Sequence, residues 1–386
     1  MSRIVMKFGG TSVGSVERIN HVAEIVRSEV DAQNQVVVVL SAMAGETDRL
    51  VNLTKELSKD FPASEYDVVI SSGEQVSVGA LSGLLNSSGI KSKSLLGWQV
   101  PIVTSTDHKS ARIEAISSEI ILKLLDENNV VIIPGFQGIS VDGRITTLGR
   151  GGSDTSAVAI AASIDADFCD IYTDVDGVYT TDPNKVPNAK RLDKISYEEM
   201  LEMASLGAKV LQTRSVETAM NNDVFLRVLS SFSDTGKNKK GTLVCSEDRI
   251  SDKKIVTGVA ASTNDAKLTL TGIRDKPGVA AEILGILAEN NINVDMIVQN
   301  ISNDRKTTDL TYTVPKDEVD NAKELMDVLS NNLSYESLIV DSNIAKISIV
   351  GVGMRSNAGV ASQMFDVLSK NNINIDVIST SEIKIS

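Results

Sequence analysis

The first 230 residues alternate short apolar runs with longer segments whose apolar residues recur at helical spacing. Residues 36–40 (VVVVL) and 130–134 (VVIIP) form unbroken runs, as expected of strands buried on both faces. Residues 15–30 predict a helix with Ser15 as its N-cap. The apolar residues of this helix are Ile19, Val22, Ala23, Val26 and Val30. Strands that alternate with helices predict an α/β fold, with a mainly parallel sheet sandwiched by helices.

The same pattern predicts the other elements of this region. Strands are expected at residues 4–8, 168–173 and 224–229, and helices near 48–59, 66–87, 110–128, 197–206 and 213–222. Residues 139–147 predict a hairpin that turns at Asp142 and Gly143, a pair typical of two-residue hairpin loops.

A change of composition follows residue 230. Residues 231–241 (SFSDTGKNKKG) combine turn-forming residues with clustered lysines, which is typical of a linker. We therefore expect one domain over residues 1–230 and a linker over residues 231–254.

An internal repeat lies beyond the linker. Residues 267–280 match 346–361, with two extra residues in the second loop, and 290–295 (NNINVD) match 371–376 (NNINID). The first copy predicts the order strand, helix, strand, strand, helix, strand, which is a βαββαβ sandwich.

The second copy reaches only its third strand at Ser386. Either the sequence is truncated, or another strand fills the gap, and the apolar run 255–262 can supply that strand. The expected boundaries are 255–342 for the first repeat domain, with strand 255–262 shared, and 343–386 for a C-terminally incomplete second domain.

Composition and charge narrow the class of protein. The 386 residues include 38 Lys and Arg against 51 Asp and Glu, a net charge of −13, so broad binding to nucleic acid is not expected. Two cysteines and two histidines give no disulfide framework and no multi-histidine metal centre. Because no signal peptide and no apolar run of about 18 residues is readable, we expect a cytoplasmic protein that does not cross a membrane.

The first candidate for chemistry is residues 7–13 (KFGGTSV), between a predicted strand and a predicted helix. Glycines there allow close backbone approach to an anion, the helix N-terminus offers unpaired N–H groups, and Lys7 adds a positive charge. This combination predicts a site for ATP phosphates; a glycine turn with a solvated lysine is the alternative. The residues expected at the phosphates are Lys7, Phe8, Gly9, Gly10 and Ser12.

The second candidate is residues 148–156 (LGRGGSDTS), which again lead into a helix. An arginine among glycines can grip a carboxylate at two points because little crowds it. Asp154 is a candidate helix cap, and it can also orient Lys7 or reach a metal on the phosphates. The spacing fits neither a dinucleotide-binding nor a Walker motif.

The third candidate is residues 172–183 (YTDVDGVYTTDP), after a buried strand. The aspartates do not fit a calcium loop, because the terminal glutamate of that pattern is missing. Loops at the carboxyl edge of a parallel sheet bind ligands, which predicts a nucleotide loop, with an Asx-rich turn as the alternative. Residues 41–47 (SAMAGET) and 71–74 (SSGE) complete the set, and Glu74 is either a partner for an ammonium group or a solvated helix residue.

Together these motifs resemble the aspartate kinases of the amino acid kinase superfamily, over essentially the whole chain. The resemblance rests on KFGGTSV, SGE at 72–74, GRGGSD at 149–154, TDVDGVY at 173–179 and GAK at 207–209, in the family's order. The C-terminal repeat resembles two ACT domains, the amino-acid-sensing modules of this family, with a ferredoxin-like fold. In the family, one ACT domain is assembled partly from chain that precedes the other, which supports 255–262 as a borrowed strand.

The resemblance implies phosphorylation of L-aspartate by ATP to 4-phospho-L-aspartate, on the route to lysine, threonine and methionine. It implies that Lys7 stabilises charge on the transferred group, that Asp154 organises the site, and that Mg²⁺ is held largely by ATP and water, with no dedicated protein cage. The residues expected to hold aspartate are Thr47, Glu74, Arg150, Gly151, Gly152 and Ser153. Those expected to contact the nucleotide, besides the first motif, are Ser41, Thr173, Asp174, Tyr179, Asp182 and Lys209.

Each repeat copy places a short loop before a helix, where an effector carboxylate can bind. We expect lysine, threonine or both to inhibit there, and we expect a homo-oligomer, by default a dimer, paired through ACT domains. The candidate effector residues are Asp275, Gly278, Val279, Ala280, Asn293, Gln299, Asn374 and Ile375. Three alternatives stay open: a superfamily kinase for glutamate, acetylglutamate, carbamate or UMP, a catalytically silent amino-acid sensor, and a repeat that serves only dimerisation.

Overall fold

The computed structural model describes residues 1–207, 210–233, 240–251, 254–301, 307–329, 333 and 335–386. The chain falls into two compact units, Met1–Lys253 and Lys254–Ser386. The first unit holds an eight-stranded and a four-stranded sheet, and the second holds a four-stranded and a three-stranded sheet.

The first unit alternates strands and helices, as the sequence pattern predicts. Its strands are β1 (Arg3–Phe8), β2 (Gln35–Leu40), β3 (Ser92–Ser94), β4 (Ile102–Thr104), β5 (Ile113–Ile116), β6 (Val130–Pro134), β7 (Gln137–Ser140), β8 (Ile145–Thr147), β9 (Phe168–Thr173), β10 (Lys194–Ser196), β11 (Leu226–Ser230) and β12 (Thr242–Cys245). Its helices are α1 (Val16–Asp31), α2 (Glu46–Leu57), α3 (Ala63–Ile70), α4 (Ser72–Ser87), α5 (Glu119–Asp126), α6 (Gly152–Ser163), α7 (Tyr197–Ser205) and α8 (Thr213–Asn221).

The main sheet has the order β10-β12-β11-β9-β1-β2-β6-β3. The six strands from β11 to β3 run parallel, which confirms the predicted mainly parallel α/β fold, while β12 pairs antiparallel with β11. Helices α1 and α4 pack on one face, against Ile4, Met6 and Phe8 of β1. Because side chains alternate along a strand, Lys7 points to the opposite face, where α6 lies against β1.

The predicted linker over residues 231–254 is wrong for residues 242–245. These residues form β12, a strand of the main sheet between β10 and β11. The surrounding turn residues and lysines hide this short strand in the sequence, because a four-residue strand that completes a sheet needs little local signal. Residues 234–239 and 252–253 of the predicted linker lie outside the described residues.

Two of the predicted helices differ from the structure. The predicted helix 110–128 is wrong at residues 113–116, because these form β5, which pairs antiparallel with β4, and only Glu119–Asp126 is helical. The predicted helix 66–87 divides at Ser71 into α3 and α4. The predicted hairpin is confirmed by the pairing of β7 with β8, and Ser15 caps α1 by accepting a hydrogen bond from the Arg18 backbone N–H.

The helical stretch Ala63–Ser87 is long and apolar enough to cross a membrane by length and composition alone. Half of its most apolar window is buried inside the first unit, where α4 packs on α1 and β6. Buried core helices of soluble proteins also meet these criteria of length and composition, so this stretch is only weak evidence for a membrane span.

The second unit contains the internal repeat. Its strands are β13 (Gly258–Ser262), β14 (Asp265–Arg274), β15 (Ile297–Ile301), β16 (Thr307–Pro315), β17 (Ser337–Asp341), β18 (Lys346–Val350) and β19 (Lys384–Ile385), and its helices are α9 (Val279–Glu289), α10 (Val319–Leu329) and α11 (Val360–Lys370). The first copy forms the sheet β15-β16-β14-β17, the order of a βαββαβ sandwich. In the second sheet, β13 pairs with β18, which is the strand position that residues 255–262 are predicted to fill.

The two repeat copies exchange ion pairs through equivalent residues. Lys267 of the first copy pairs with Asp376 of the second at 2.6 Å, and Lys346 of the second copy pairs with Asp295 of the first. Lys267 and Lys346 are matched positions of the repeat, as are Asp295 and Asp376. The copies therefore contact each other with approximate two-fold symmetry.

The core of the second unit buries one tyrosine hydroxyl without a partner. Tyr312 on β16 is fully buried, and its hydroxyl has no hydrogen-bond partner among the described residues. Tyr335 packs against the same core, but its hydroxyl donates to the Met326 carbonyl oxygen at 3.0 Å. A buried hydroxyl without a hydrogen bond destabilises the folded state, whereas a hydrogen-bonded one stabilises it.

We predict that Tyr312→Phe leaves the free energy of unfolding unchanged or raises it by up to about 1 kcal/mol, because it removes only an unpaired hydroxyl. The matched control Tyr335→Phe should lower the free energy of unfolding by about 1 kcal/mol, because it breaks a hydrogen bond. Urea unfolding of the full chain, followed by a probe in the second unit, measures both. A greater loss for Tyr312→Phe than for Tyr335→Phe would contradict the assignment.

Candidate active site

Lys7 lies near the carboxyl end of the central strand β1, between Val39 of β2 and Ile171 of β9. Its Nζ atom pairs with Asp154 Oδ1 at 2.6 Å, and the two side chains are only 12% and 10% exposed. Asp154 lies in the first turn of α6. Because ligands of open parallel sheets bind at the carboxyl ends of the strands, this ion pair marks the candidate site.

The turn after β1 presents bare backbone beside Lys7. A Cβ atom on Gly10 would lie 2.9 Å from the Ala42 carbonyl oxygen, and one on Gly9 would lie 3.5 Å from Lys7 Nζ. Any side chain at Gly10 would therefore push the turn away from the segment between β2 and α2. The short helical turn Gly10–Val13 leads from here to α1. Such a turn can hold phosphate oxygens with its N–H groups.

Two residues of the first motif turn their side chains into the protein. Phe8 is fully buried and stacks on Tyr172 with ring centroids 4.5 Å apart. Ser12 is fully buried, and its hydroxyl bonds to the Ser231 hydroxyl at 2.7 Å. Phe8 and Ser12 can therefore meet a nucleotide only through their backbone atoms.

A second glycine turn approaches the ion pair through α6. Gly151 is the N-cap of α6 with φ 71°, and a Cβ atom there would lie 1.9 Å from Gln212 Cγ. A Cβ atom on Gly152 would lie 2.8 Å from Leu148 Cβ. Arg150 is exposed, and Ser153 is buried and accepts a hydrogen bond from the Ser41 hydroxyl at 3.0 Å. The motifs at 41–47 and 148–156 therefore meet in space.

Glu74 has a buried carboxyl group, and only one of its two oxygens has a hydrogen-bond partner among the described residues. Its Oε1 atom accepts a hydrogen bond from the Ala42 backbone N–H at 3.2 Å, and its Oε2 atom has no partner in the described part of the chain. Burial raises the pKa of Glu74 to about 7, against which its backbone hydrogen bonds act in the lowering direction. Thr47 lies nearby in sequence, in the first turn of α2, and is half-buried. A buried oxygen without a donor is suited to a ligand that brings one.

The loop after β9 is held by residues that the sequence patterns do not identify. Asp176 accepts hydrogen bonds from the Tyr179 hydroxyl at 2.8 Å and from Arg191 at 3.0 Å. The Thr242 hydroxyl, on β12, accepts from the Val178 N–H at 2.8 Å and donates to the Leu192 carbonyl oxygen. Asp176 carries a local signal, since it belongs to the third motif, but Arg191 and Thr242 carry none.

Three further nucleotide candidates lie at the end of β9 or in the loop after it, namely Thr173, Asp174 and Asp182. Thr173 donates its hydroxyl proton to Asp174 at 2.9 Å, and Asp182 accepts a hydrogen bond from the Asn184 N–H at 2.9 Å. The hydrogen bond to Asp176 raises the pKa of Tyr179. Lys209 lies outside the described residues.

The candidate effector residues belong to the second unit. Gly278 is the N-cap of α9 with φ 96°, and Val279 is buried in the core of this unit, so it offers only its backbone. Asp275, Asn293, Gln299 and Asn374 are exposed, and Ala280 and Ile375 are half-buried.

Comparison with known proteins identifies the family of the chain. The sequence model of the amino acid kinase family matches residues 2–230, and ACT-domain models match residues 268–331 and 347–386. The aspartate kinase of Pseudomonas putida is 52% identical over 387 residues, covering 100% of this chain and 93% of that protein. The aspartokinase of Helicobacter pylori is 49% identical, covering 99% and 94%.

Solved structures give the same result. Aspartokinase III of E. coli in complex with aspartate and ADP superposes with a TM-score of 0.81 at 29% identity, covering 99% of this chain and 95% of that one. The same enzyme in complex with lysine and aspartate superposes with a TM-score of 0.77, also at 29% identity, covering 99% and 94%. With the family model over residues 2–230 and full-length relatives near 50% identity, the chain belongs to the aspartate kinases of the amino acid kinase family and carries ACT domains.

Proposed function

We propose that the protein transfers the γ-phosphoryl group of ATP to the side-chain carboxylate of L-aspartate, giving 4-phospho-L-aspartate for lysine, threonine and methionine biosynthesis in the cytoplasm. The observation that carries this proposal is the Lys7–Asp154 pair, 2.6 Å apart between two glycine turns at the carboxyl edge of the sheet. The E. coli relative solved with aspartate and ADP supports it.

The phosphates are proposed to lie on the turn at Gly9 and Gly10, with Lys7 beside the transferred group. No group of three or more His, Cys, Asp or Glu side chains suited to a metal occurs among the described residues, but Asp154 places a carboxylate next to Lys7. This donor set fits Mg²⁺ held mainly by phosphate oxygens and water, with Asp154 as a ligand. When bound, Mg²⁺ neutralises phosphate charge.

The rest of the nucleotide is proposed to lie over the loop after β9. That loop continues from β9, which pairs directly with the Lys7 strand. The proposed contacts are Ser41, Thr173, Asp174, Tyr179, Asp182 and Lys209.

Aspartate is proposed to bind between Arg150 and Glu74. Arg150 is exposed and can form two parallel hydrogen bonds to a carboxylate, and the free Oε2 of Glu74 can accept from the α-ammonium group. Thr47, Gly151, Gly152 and Ser153 line the same pocket in this proposal. The side-chain carboxylate of aspartate is ionised above pH ~4 and is already a nucleophile, so the reaction needs no general base.

An ATP- and aspartate-dependent hydroxamate assay tests this function, because hydroxylamine traps acyl phosphates. We expect hydroxamate and ADP to form in equal amounts with aspartate. Turnover with glutamate, acetylglutamate, carbamate or UMP in place of aspartate would instead identify another kinase of the superfamily. No turnover with any of them would identify a silent sensor.

Feedback control through the ACT domains is the second part of the proposal. The E. coli relative solved with lysine makes lysine the first effector to test, with threonine as the other candidate. Asp295 and Asp376, which join the two repeat copies, lie close in sequence to the effector candidates Asn293 and Asn374. Each proposed effector segment is therefore tied to the opposite copy. A homodimer paired through ACT domains remains part of this proposal.

We predict that Lys7→Ala lowers kcat by about 10²–10³ and changes the KM for aspartate much less, because the lost charge acts on the transition state. The hydroxamate assay at saturating substrates measures kcat. The thermal unfolding midpoint serves as the control, because the variant leaves Asp154 without its partner. A kcat near the wild-type value in a folded variant would contradict the role of Lys7.

We predict that the KM for aspartate falls as the pH rises through about 7, because Glu74, with a pKa of about 7, must ionise to accept the ammonium group. Glu74→Gln should show a higher KM that does not change between pH 6 and pH 8. The KM for ATP, measured at both pH values, is the control. A wild-type KM for aspartate that is independent of pH would contradict this role.

The same pKa has a consequence for stability without ligand. The folded state raises the pKa of Glu74 from 4.5 to about 7, so it binds the proton more tightly than the unfolded chain does. The contribution of this group to stability is therefore greatest below pH 4.5 and is lost as the pH rises through 7.

We predict that Asp275→Ala and Gln299→Ala each relieve inhibition by lysine or threonine and leave the uninhibited kcat nearly unchanged. A coupling between sites is typically about 1–3 kcal/mol, so the inhibition constant should rise by about 5- to 150-fold. Asp320→Ala, an exposed aspartate on α10, is the matched control. If neither amino acid inhibits the full chain, the regulatory proposal is wrong, and if both variants remain inhibited, the pocket lies elsewhere.

A further inference from the structure

Asp67 is a fully buried carboxylate outside every motif named above. It lies on α3 and accepts hydrogen bonds from the Thr147 hydroxyl at 2.6 Å, from the Lys109 backbone N–H at 3.1 Å and from the His108 ring at 2.7 Å. Four donor contacts thus converge on its two oxygens, since the Lys109 N–H lies 3.1 Å from each of them. A buried charge with so many partners fixes the distance between the elements that it joins.

A second contact one helical turn away joins the same two elements. The Gln137 side chain donates to the Ser71 carbonyl oxygen at 2.9 Å. Gln137 and Thr147 are register partners across the β7–β8 hairpin, and Asp67 and Ser71 are four residues apart along the helix. Helix α3 is therefore held to the end of the hairpin at two points, which we call the α3 clamp (Asp67–Thr147 and Ser71–Gln137).

Each side of the α3 clamp leads directly to one side of the proposed aspartate pocket. On the helix side, α3 continues into α4, whose first turn carries Glu74. On the hairpin side, Thr147 ends β8 and is followed by the turn that carries Arg150. Gly149, in that turn, has φ 75°, and a Cβ atom there would lie 3.0 Å from the carbonyl oxygen of Lys109. Lys109, whose N–H is held by Asp67, therefore also lies close to the turn before Arg150.

We propose that Asp67 is a positioning residue for aspartate: it sets the separation between Glu74 and Arg150 and does not itself touch the substrate. The inference rests on the proposed function, since it assigns Glu74 and Arg150 to the aspartate pocket. None of the four described contacts of Asp67 involves the turn at Gly9 and Gly10 or the loop after β9. Its loss should therefore act on aspartate and spare ATP.

The test compares variants of the full chain by their KM for each substrate. Asp67→Asn keeps the size of the side chain but replaces one accepting carboxylate oxygen with an NH₂ group, which is itself a donor and faces other donors. We expect it to raise the KM for aspartate by about tenfold or more, because small displacements of positioning groups carry large effects, with the KM for ATP changed less than about twofold. Thr147→Val removes one donor and should move the KM for aspartate in the same direction, by less.

Two controls separate positioning from general destabilisation. Thr147→Ser keeps the hydroxyl and should retain a near-wild-type KM for aspartate. Leu125→Ala opens a cavity under α5, a helix that packs on β6 and carries no residue of the clamp, and should lower the unfolding midpoint without changing either KM. If Asp67→Asn does not fold, the Thr147→Val and Thr147→Ser pair decides by the same comparison.

The outcomes distinguish this inference from the proposed function. An active wild-type enzyme whose Asp67→Asn or Thr147→Val variant keeps its KM for aspartate, or changes both KM values equally, overturns the inference alone. A wild-type chain without aspartate-dependent turnover overturns the proposed function, and the inference with it.

Discussion

The buried pair of Lys7 and Asp154 is the interaction on which the rest of the site depends. Taking two charges out of water is costly, and their attraction offsets the cost only when they are close and well surrounded. Here they are 2.6 Å apart, one on the central strand and one at the start of α6. That contact requires α6 to begin beside β1, which in turn requires glycine at 151 and 152, where side chains would collide with Gln212 and Leu148.

The same edge of the sheet carries a second buried ionisable group, Glu74, whose carboxyl oxygens are only partly hydrogen-bonded among the described residues. Lys7 and Asp154 carry opposite charges and form an ion pair, whereas Glu74 keeps one oxygen without a hydrogen-bond partner among the described residues and has its pKa raised to about 7 by burial. An ionised Glu74 is therefore destabilising until a donor arrives. In the proposed function, this lower stability of the free protein accompanies selectivity, since a ligand without an ammonium group leaves the carboxylate unpaired. In the proposed function, the pair lies beside the transferred phosphate and Glu74 selects the acceptor.

The sequence predicts what is local and misses what is distant. Gly9, Gly10, Lys7 and Asp154 are readable because each motif contains both the turn and its chemical group. Asp67 and Thr242 are not, because their partners are 80 and 64 residues away in the chain. The error at 113–116 within the predicted helix 110–128 has the same origin, because pairing with β4, a contact between separate segments, overrides the local helical pattern there. The parallel sheet was predictable because its buried strands are continuous apolar runs.

The repeat shows a different kind of constraint. A hydrophobic core tolerates many substitutions of one apolar residue by another. A pair of reciprocal ion pairs between two copies instead requires each copy to have the lysine and the aspartate at the same positions. Lys267 matches Lys346 and Asp295 matches Asp376, and these four form the cross-copy pairs. The symmetry is incomplete, because Lys346 also lies 3.6 Å from Asp265 and is 8% exposed, against 20% for Lys267. Lys346, which holds Asp295 near Asn293, is thus more deeply buried than Lys267, which holds Asp376 near Asn374. The two proposed effector segments are therefore not equivalent.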